Sequence, residues 1–425
     1  MSNILKSYTG YWNIPSFQGE ITECPGTLFL YENDGLILDI HHSENIGHQI
    51  DYKNSYDIIQ GKEDSGRLIT LENVVFNGMN GYVHTTLKAR FALIGAHVPS
   101  FDTKVFSTAI VHFPYLRTWA FNRRVEFSAK KDIDILSVDI GKKSGEILRA
   151  DIGNMDLVLW SSVNTHFTQF DYNIVQDTYL NLISKKKISI NEFLKNTTIF
   201  SRFLTITLFK AQSPNSIKFK TKDKHTDYEL LFKELPSTKV LASSVIKFKT
   251  FKERLPEILK QWYANYDKVS PIAAYLSSSL SSSGTFDSPD FLLIVQALDG
   301  YFKRFKNKED GIDTRKNVDA LNKLIAHFDG VNSIRECNLD ADVIVQTRDY
   351  YTHLLEKEDK PKAVTDSTDL IWLTEKCKIL LTCCLLEYSG MTIEEINTCC
   401  EESPIKTSIY WIHSHENKKQ KQIKR

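Results

Sequence analysis

Thr27-Leu28-Phe29-Leu30-Tyr31, then Asn33-Asp34-Gly35, then Leu36-Ile37-Leu38-Asp39-Ile40 is the stretch that decides the first half of the fold. Two short apolar runs flank an Asp-Gly pair, which tolerates the positive φ of a tight turn, so the segment reads as a β-hairpin. Outward from it, Leu68–Leu71, Tyr82–Leu87, Val105–Phe113 and Asp156–Trp160 have the same character, with Gly, Asn or Asp between them. Residues 1 to about 175 therefore predict an antiparallel, sandwich-like β domain. The stretch 175–250 is mixed. Ser189 can cap a helix through Phe193 and Leu194, with strands expected around Leu204–Phe209 and Val245–Phe248. Lys185–Lys187 and Lys218, Lys220, Lys222 and Lys224 read as solvated lysines that blunt a sheet edge.

From about residue 250 the hydrophobic period changes. Phe251, Leu255, Ile258, Leu259 and Trp262 recur at helical spacing. The serine-rich run Ser277–Gly284 reads as a flexible connection. Ser288-Pro289 then starts a helix, with serine as cap and proline in the first turn. Further helices are expected around Leu321–Phe328, 340–356, Leu370–Tyr388 and Thr392–Cys400. The best defined stripe is Leu370, Leu373, Cys377, Leu380, Leu381, Cys384, Leu385 and Tyr388. The expected organisation is α+β: a β-rich N-terminal domain over 1–245, a helical connector over 246–284 and an all-α bundle over 285–415. The basic tail, 416–425, is expected to be disordered, and residues 401–425 acquire no role.

Of 425 residues 42% are hydrophobic and 25% charged, as in a soluble globular protein. Lys plus Arg (53) equals Asp plus Glu (53), so no global field draws in a polyanion, and any nucleic-acid contact must be a local patch. Cys24, Cys337, Cys377, Cys383, Cys384, Cys399 and Cys400 are odd in number and clustered, which fits a reducing compartment rather than a disulfide framework. With no apolar signal core and no apolar run of roughly 20 residues, a cytoplasmic protein without membrane contact is expected. Cys383-Cys384 and Cys399-Cys400, with His413 and His415, lack the CxxC spacing of a zinc site. Adjacent helical cysteines also diverge by about 100°. No metal and no cofactor is expected.

One string carries chemistry: Arg348-Asp349-Tyr350-Tyr351-Thr352-His353. RNA holds its own nucleophile, the 2′-hydroxyl. A ribonuclease needs only to move two protons and to stabilise the crowded phosphorane. Histidine suits proton transfer near neutral pH, and arginine offers a permanently charged fork to phosphate oxygens. Asp349 could orient the guanidinium, and Tyr350 and Tyr351 could stack on bases. On an earlier helix Asp299 and Lys303 lie at i, i+4, followed by Arg304, Lys306 and Lys308 as a basic patch. Five residues turn an ideal helix through about 500°, so Arg348 and His353 sit roughly 140° apart. They share no face, and one imidazole cannot easily be base and acid in one step; a two-fold dimer would bring two copies to one cleft. Arg90 and His97 repeat the spacing but straddle the apolar run Phe91–Ala96, which reads as structural.

A helical bundle with Arg-Asp-(three residues)-His on a late helix and acid-(three residues)-Lys-Arg on an early one resembles the HEPN superfamily. More narrowly the chain resembles the ApeA-like HEPN proteins of bacterial antiphage defence. Tyr11–Pro15, Pro25–Leu28, Leu116–Trp119, Leu259–Tyr263, Val269–Ile272, Gln296–Tyr301 and Thr347–His353 carry the likeness. Asp299 departs from it, standing where glutamate is usual. The resemblance implies an N-terminal sensor or regulatory domain and a C-terminal domain that cuts RNA without metal, leaving a 2′,3′-cyclic phosphate. Arg348, His353 and Asp349 would be catalytic. Asp299, Lys303, Arg304, Tyr350 and Tyr351 would contact RNA or support those groups. Expected partners are an RNA substrate, a second copy of the chain and a phage-derived trigger. The rival expectation is a non-catalytic HEPN module that dimerises and recruits a nucleic acid or protein.

Overall fold

The computed structural model describes residues 3–16, 20–43, 55–81, 83–121, 125–130, 135–140, 144–167, 172–233, 243–281, 288–306 and 317–423; Tyr82, Ser282–Gly284, Lys308, Lys424 and Arg425, named above, lie outside them. The chain forms two units. One comprises Met1–Thr198 with Ser213–Lys239, the other Ile199–Gln212 with Val240–Arg425. The boundary read at residue 245 is therefore refined, because a stretch near residue 200 belongs to the helical unit.

The first unit contains β1 (Ile4–Pro15), β2 (Ile21–Tyr31), β3 (Gly35–His41), β4 (Tyr56–Glu63), β5 (Leu68–Asn80), β6 (His84–Ile94) and β7 (Phe106–His112). A short helix α1 (Leu116–Trp119) follows. Then come β8 (Val125–Lys130), β9 (Ile135–Ile140), β10 (Ser144–Asp151), β11 (Met155–Phe167), β12 (Tyr172–Ile188), and, beyond helix α2 (Ile190–Leu208), β13 (Ser216–Thr221) and β14 (Lys224–Leu231). The expected antiparallel β domain is present, as one large sheet and a separate β8–β9 pair. Twelve strands run in the order β10-β11-β12-β7-β13-β14-β6-β3-β2-β1-β4-β5, and β5 also pairs with β6. That last pairing closes β6-β3-β2-β1-β4-β5 into a barrel, which removes the exposed edges an open sheet would leave. The hairpin read from sequence is β2–β3, with Gly35 at φ +79° at its turn.

Alternation fills the barrel. Tyr8, Trp12, Ile14, Leu28, Leu30, Leu36, Leu38 and Ile40 project into one apolar cluster with Ile59, Ile69, Leu71 and Leu87. Trp12 is fully buried, and its indole N–H donates to the Gly26 carbonyl at 3.2 Å. Trp12 faces Gly61 across the β1–β4 pair, and a Cβ at Gly61 would lie 2.3 Å from the indole ring. Glycine is required there by contact rather than by φ.

The second unit takes in the later part of α2, then α3 (Phe248–Phe251), α4 (Leu255–Ser279), α5 (Ser288–Tyr301) and a π-helical turn (Phe302–Lys306). It continues with α6 (Asn317–His327), α7 (Asn332–Cys337), α8 (Ala341–His353), α9 (Ser367–Tyr388), α10 (Ile393–Cys400) and α11 (Pro404–Ile423). At the centre is α9, in which Cys377 to Leu386 are buried without a break. Its sequence stripe marked one face, yet Lys378, Ile379, Thr382, Cys383 and Leu386 are buried on the others. Helices α4, α5, α7, α10 and α11 pack on it. The buried Lys378 ammonium lies 2.9 Å from Glu375 and 3.3 Å from Asp290, so its charge is matched by two carboxylates.

Four local expectations are corrected. Leu204–Phe209 is not a strand: through Leu208 it is the end of α2, buried on several sides, a setting that erases the helical period on which sequence reading relies. Thr205 satisfies its hydroxyl on the Ser201 carbonyl one turn back. Val245–Phe248 is likewise no strand; Val245 and Ile246 donate to the Thr207 carbonyl and α3 begins at Phe248. Ser277–Ser279 is not a linker but the last turn of α4, with Ser277 and Ser279 buried as small residues at a packed helix surface. The basic tail is helical to Ile423. Ile405, Ile409 and Ile412 give α11 a buried face, and Lys376–Glu416 (2.7 Å) and Lys419–Asp369 pin its polar side.

Two glycines give opposite expectations in urea unfolding. Gly61→Ala should destabilise by about 1–3 kcal/mol, because the new methyl meets the Trp12 ring. Gly300→Ala, in α5 with open space around it, should stabilise by about 0.5–1 kcal/mol.

Candidate active site

Helix α8 is fixed at both ends. Asp340 caps its start, accepting from the backbone N–H of Asp342 (2.8 Å) and Val343 (3.2 Å). Its C-cap is Leu354 in the left-handed region (φ +51°), exposed, with its N–H on the Tyr350 carbonyl. The segment after the helix then folds back along it. Val364 N–H donates to Thr347 Oγ1 at 2.9 Å, Lys362 N–H to Gln346 Oε1 at 3.0 Å, and Lys360 Nζ to Asp349 Oδ2 at 2.9 Å.

These anchors converge on Asp349. Its Oδ1 accepts from Arg348 Nε at 3.0 Å and from a terminal guanidinium nitrogen, while Oδ2 takes Lys360. Burial works against ionisation, but the hydrogen bonds and charges of Lys360 and Arg348 outweigh it and hold the carboxyl below the usual aspartate range. The guanidinium is thus held by a fixed anion. Lys360 escaped sequence reading because it lies in an aperiodic segment eleven residues beyond Asp349.

Arg348 shares the lining of a cavity of about 20 Å³ with Asp299, Val295, Leu298, Phe302, Leu324 and neighbouring side chains of α5, α6 and α8. That is room for about one water, so the cavity is a joint between helices rather than a substrate pocket. Asp299 Oδ2 accepts from Lys303 Nζ at 2.7 Å, whereas its buried Oδ1 has no hydrogen-bond partner among the described residues. The structure therefore brings Asp299 and Arg348 to one cavity. His353 is placed elsewhere: it is the exposed last residue of α8, and it is absent from the cavity wall. Within one chain Arg348 and His353 point around an unbroken helix in different directions.

The flanking residues follow from the same helices. Tyr350 and Tyr351 are half-buried and meet edge to face with ring centroids 5.0 Å apart. Burial pushes the Tyr351 hydroxyl pKa up. Lys303 and Arg304 sit on the exposed π-helical turn; Arg304 donates to the Lys268 carbonyl at 3.0 Å. The second Arg–His spacing is architectural. Arg90 lies over the Phe91 ring at 5.1 Å, and His97 Nε2 bonds the Gly61 carbonyl at 2.8 Å.

All seven cysteines are free and buried, and burial pushes the Cys337 and Cys377 thiols up to about 12. His413 and His415 are engaged by the Glu336 carbonyl and Asp369 Oδ1. Among the described residues no three His, Cys, Asp or Glu side chains group as metal ligands, and no helix is long and apolar enough to cross a membrane.

The Asp349 arrangement has a pH signature. A carboxyl held low when folded adds stability above its ordinary value, near 3.9, and loses it as pH falls through the folded value. Asp349→Asn should therefore flatten the acid limb of stability against pH, read by urea unfolding from neutral pH downward. An unchanged acid limb would show that the carboxyl gains nothing from its two cations.

Two family models match the chain: the ApeA N-terminal domain 1 over residues 7–262 and the Apea-like HEPN domain over residues 292–395. The second covers α6 to α9 whole, with most of α5, and contains every candidate residue from Asp299 to His353. No curated protein and no solved structure matches. The two matches follow one another along the chain and together span most of it, so the chain belongs to the ApeA-like HEPN family.

Proposed function

We propose that this protein is an endoribonuclease of antiphage defence that cleaves RNA by attack of the 2′-hydroxyl, without metal. HEPN domains of the ApeA type suggest a nuclease family of antiphage defence. What supports the finer reading is the pair of N–H bonds from Arg348 to Asp349 Oδ1, with Lys360 on the other carboxylate oxygen, on a helix that ends in an exposed histidine. A guanidinium held by a carboxylate in this way loses little freedom when a phosphorane forms.

In this reading an imidazole takes the 2′-hydroxyl proton as the O2′–P bond forms. A second imidazole protonates O5′ as the P–O5′ bond breaks, leaving a 2′,3′-cyclic phosphate and a 5′-hydroxyl. His353 supplies one imidazole per chain, so two chains supply the pair across a two-fold axis. Arg348 carries the phosphorane charge. Asp349, and Lys360 through it, position Arg348. Tyr350, Tyr351, Lys303 and Arg304 hold the strand, and Asp299 lines the same joint between helices as Arg348.

One observation favours the rival reading, a non-catalytic module that binds a partner: Arg348 and His353 diverge within the chain. Incubation of RNA with the full chain in excess chelator separates the two. Wild type should cut and leave cyclic-phosphate ends, and His353→Ala and Arg348→Ala should each lose about 10²-fold or more. Equal cutting by wild type and His353→Ala would remove the catalytic role.

A further inference from the structure

A second polar cluster lies on the helical unit, built, apart from Arg304 at its rim, from residues that the catalytic reading leaves unused. An open groove of about 370 Å³ runs along α4, the π-helical turn and α9, lined by Gln261, Asn265, Lys268, Tyr301, Phe305, Lys306, Glu387 and Tyr388. That volume is within the range that takes a small ligand or one unit of a polymer. Three rings form its floor. Tyr301 and Phe305 have centroids 5.1 Å apart, and Phe305 and Tyr388 4.7 Å. Tyr388 is locked by its hydroxyl, which donates to the Asn265 carbonyl at 3.0 Å. The π-helical turn is what brings Phe305 and Lys306 here, and such turns recur at binding sites because they re-aim side chains.

The charges decide what the groove can hold. Glu387 receives the Tyr301 hydroxyl (3.1 Å), Lys306 Nζ (3.0 Å) and His327 Nε2 (2.5 Å). Burial opposes its ionisation, but the His327 and Lys306 bonds outweigh that and keep the carboxyl below its usual range. The carboxylate is thus neutralised from within the fold, and a cationic ligand would have to displace Lys306 or His327 to reach it. The rim is basic: Lys268 is exposed, and Arg304 is tied to its carbonyl. Flat aromatic faces, the amides of Gln261 and Asn265 and a cationic rim match a heteroaromatic base carried on a phosphate backbone.

We infer that this groove is a binding subsite for one unstacked base and its adjoining phosphate in single-stranded RNA. The inference deepens the RNA reading above and rests on it. The base lies against Phe305 and Tyr388, its edge reaches Gln261 and Asn265, and the phosphate meets Lys268 and Arg304. A duplex, whose bases stay stacked, would not enter.

The test measures binding apart from cutting. The probe is a 5′-fluorescein-labelled decaribonucleotide of mixed sequence, fully 2′-O-methylated so that it cannot be cleaved. Its anisotropy is followed with the full chain in chelator at several salt concentrations. Phe305→Leu should weaken binding about 5-fold or more by removing a stacking face while keeping apolar bulk. Lys268→Ala, at an exposed position that does not endanger folding, should weaken binding and reduce the salt slope by about one phosphate contact. Unlabelled duplex of the same sequence should compete poorly. Wild-type affinity in both variants, or equal competition by duplex, would overturn the subsite. Cutting by His353→Ala bears only on the catalytic reading, so either can fail alone.

Discussion

Helix α9 is apolar on almost every side, and that constraint organises the helical unit. Such a helix must be covered all round, and α4, α5, α7, α10 and α11 do so. Helix α5, held against α9, is also the surface on which α6 and α8 rest. The position of Arg348 is therefore set two packing layers out from the buried core. The buried cation Lys378, inside that core, is matched by Glu375 and Asp290, since a lone buried charge would cost several kcal/mol.

The candidate site repeats this logic at smaller scale. A carboxylate, Asp349, is held between two cations, and each partner is fixed by backbone bonds rather than by chance proximity. Arg348 is its neighbour in sequence, and Lys360 is delivered by a segment stitched to α8 at Thr347 and Gln346. Preorganisation of this kind fixes the aim of an arginine before any ligand arrives, at little further entropic cost. The Glu387 cluster uses the same device with histidine, lysine and tyrosine, and there it sets the charge of a groove instead of the aim of a side chain.

The parts of the fold that show one face to solvent were legible in the sequence. The β2–β3 hairpin announced itself by Asp34-Gly35, and Ser189, Ser288 and Thr392 marked helix starts near where they occur. The errors fell where burial is symmetrical. The end of α2 is packed on several sides and carries β-branched residues, so neither period nor propensity betrayed a helix. Ser277 and Ser279 read as a linker because composition cannot tell a solvated serine from a small residue under a packed helix. Barrel closure depends on β5 pairing with β6 as well as β4, a long-range choice that no local signal encodes. At the site, Arg348, Asp349 and His353 were visible as a motif, and their family likeness located the helix. Lys360 and Glu387 were not visible, because each acts through contacts between distant segments.

RNA cutting as proposed requires one cleft to use the histidines of two chains. The direct measurement is RNA cutting by wild-type protein after subunit exchange with His353→Ala protein, at constant total concentration and varied proportion. If both imidazoles serve one cleft, mixed dimers are inactive and activity falls as the square of the wild-type fraction, to about one quarter at equal proportions. Activity that falls in simple proportion, to about one half, would contradict it.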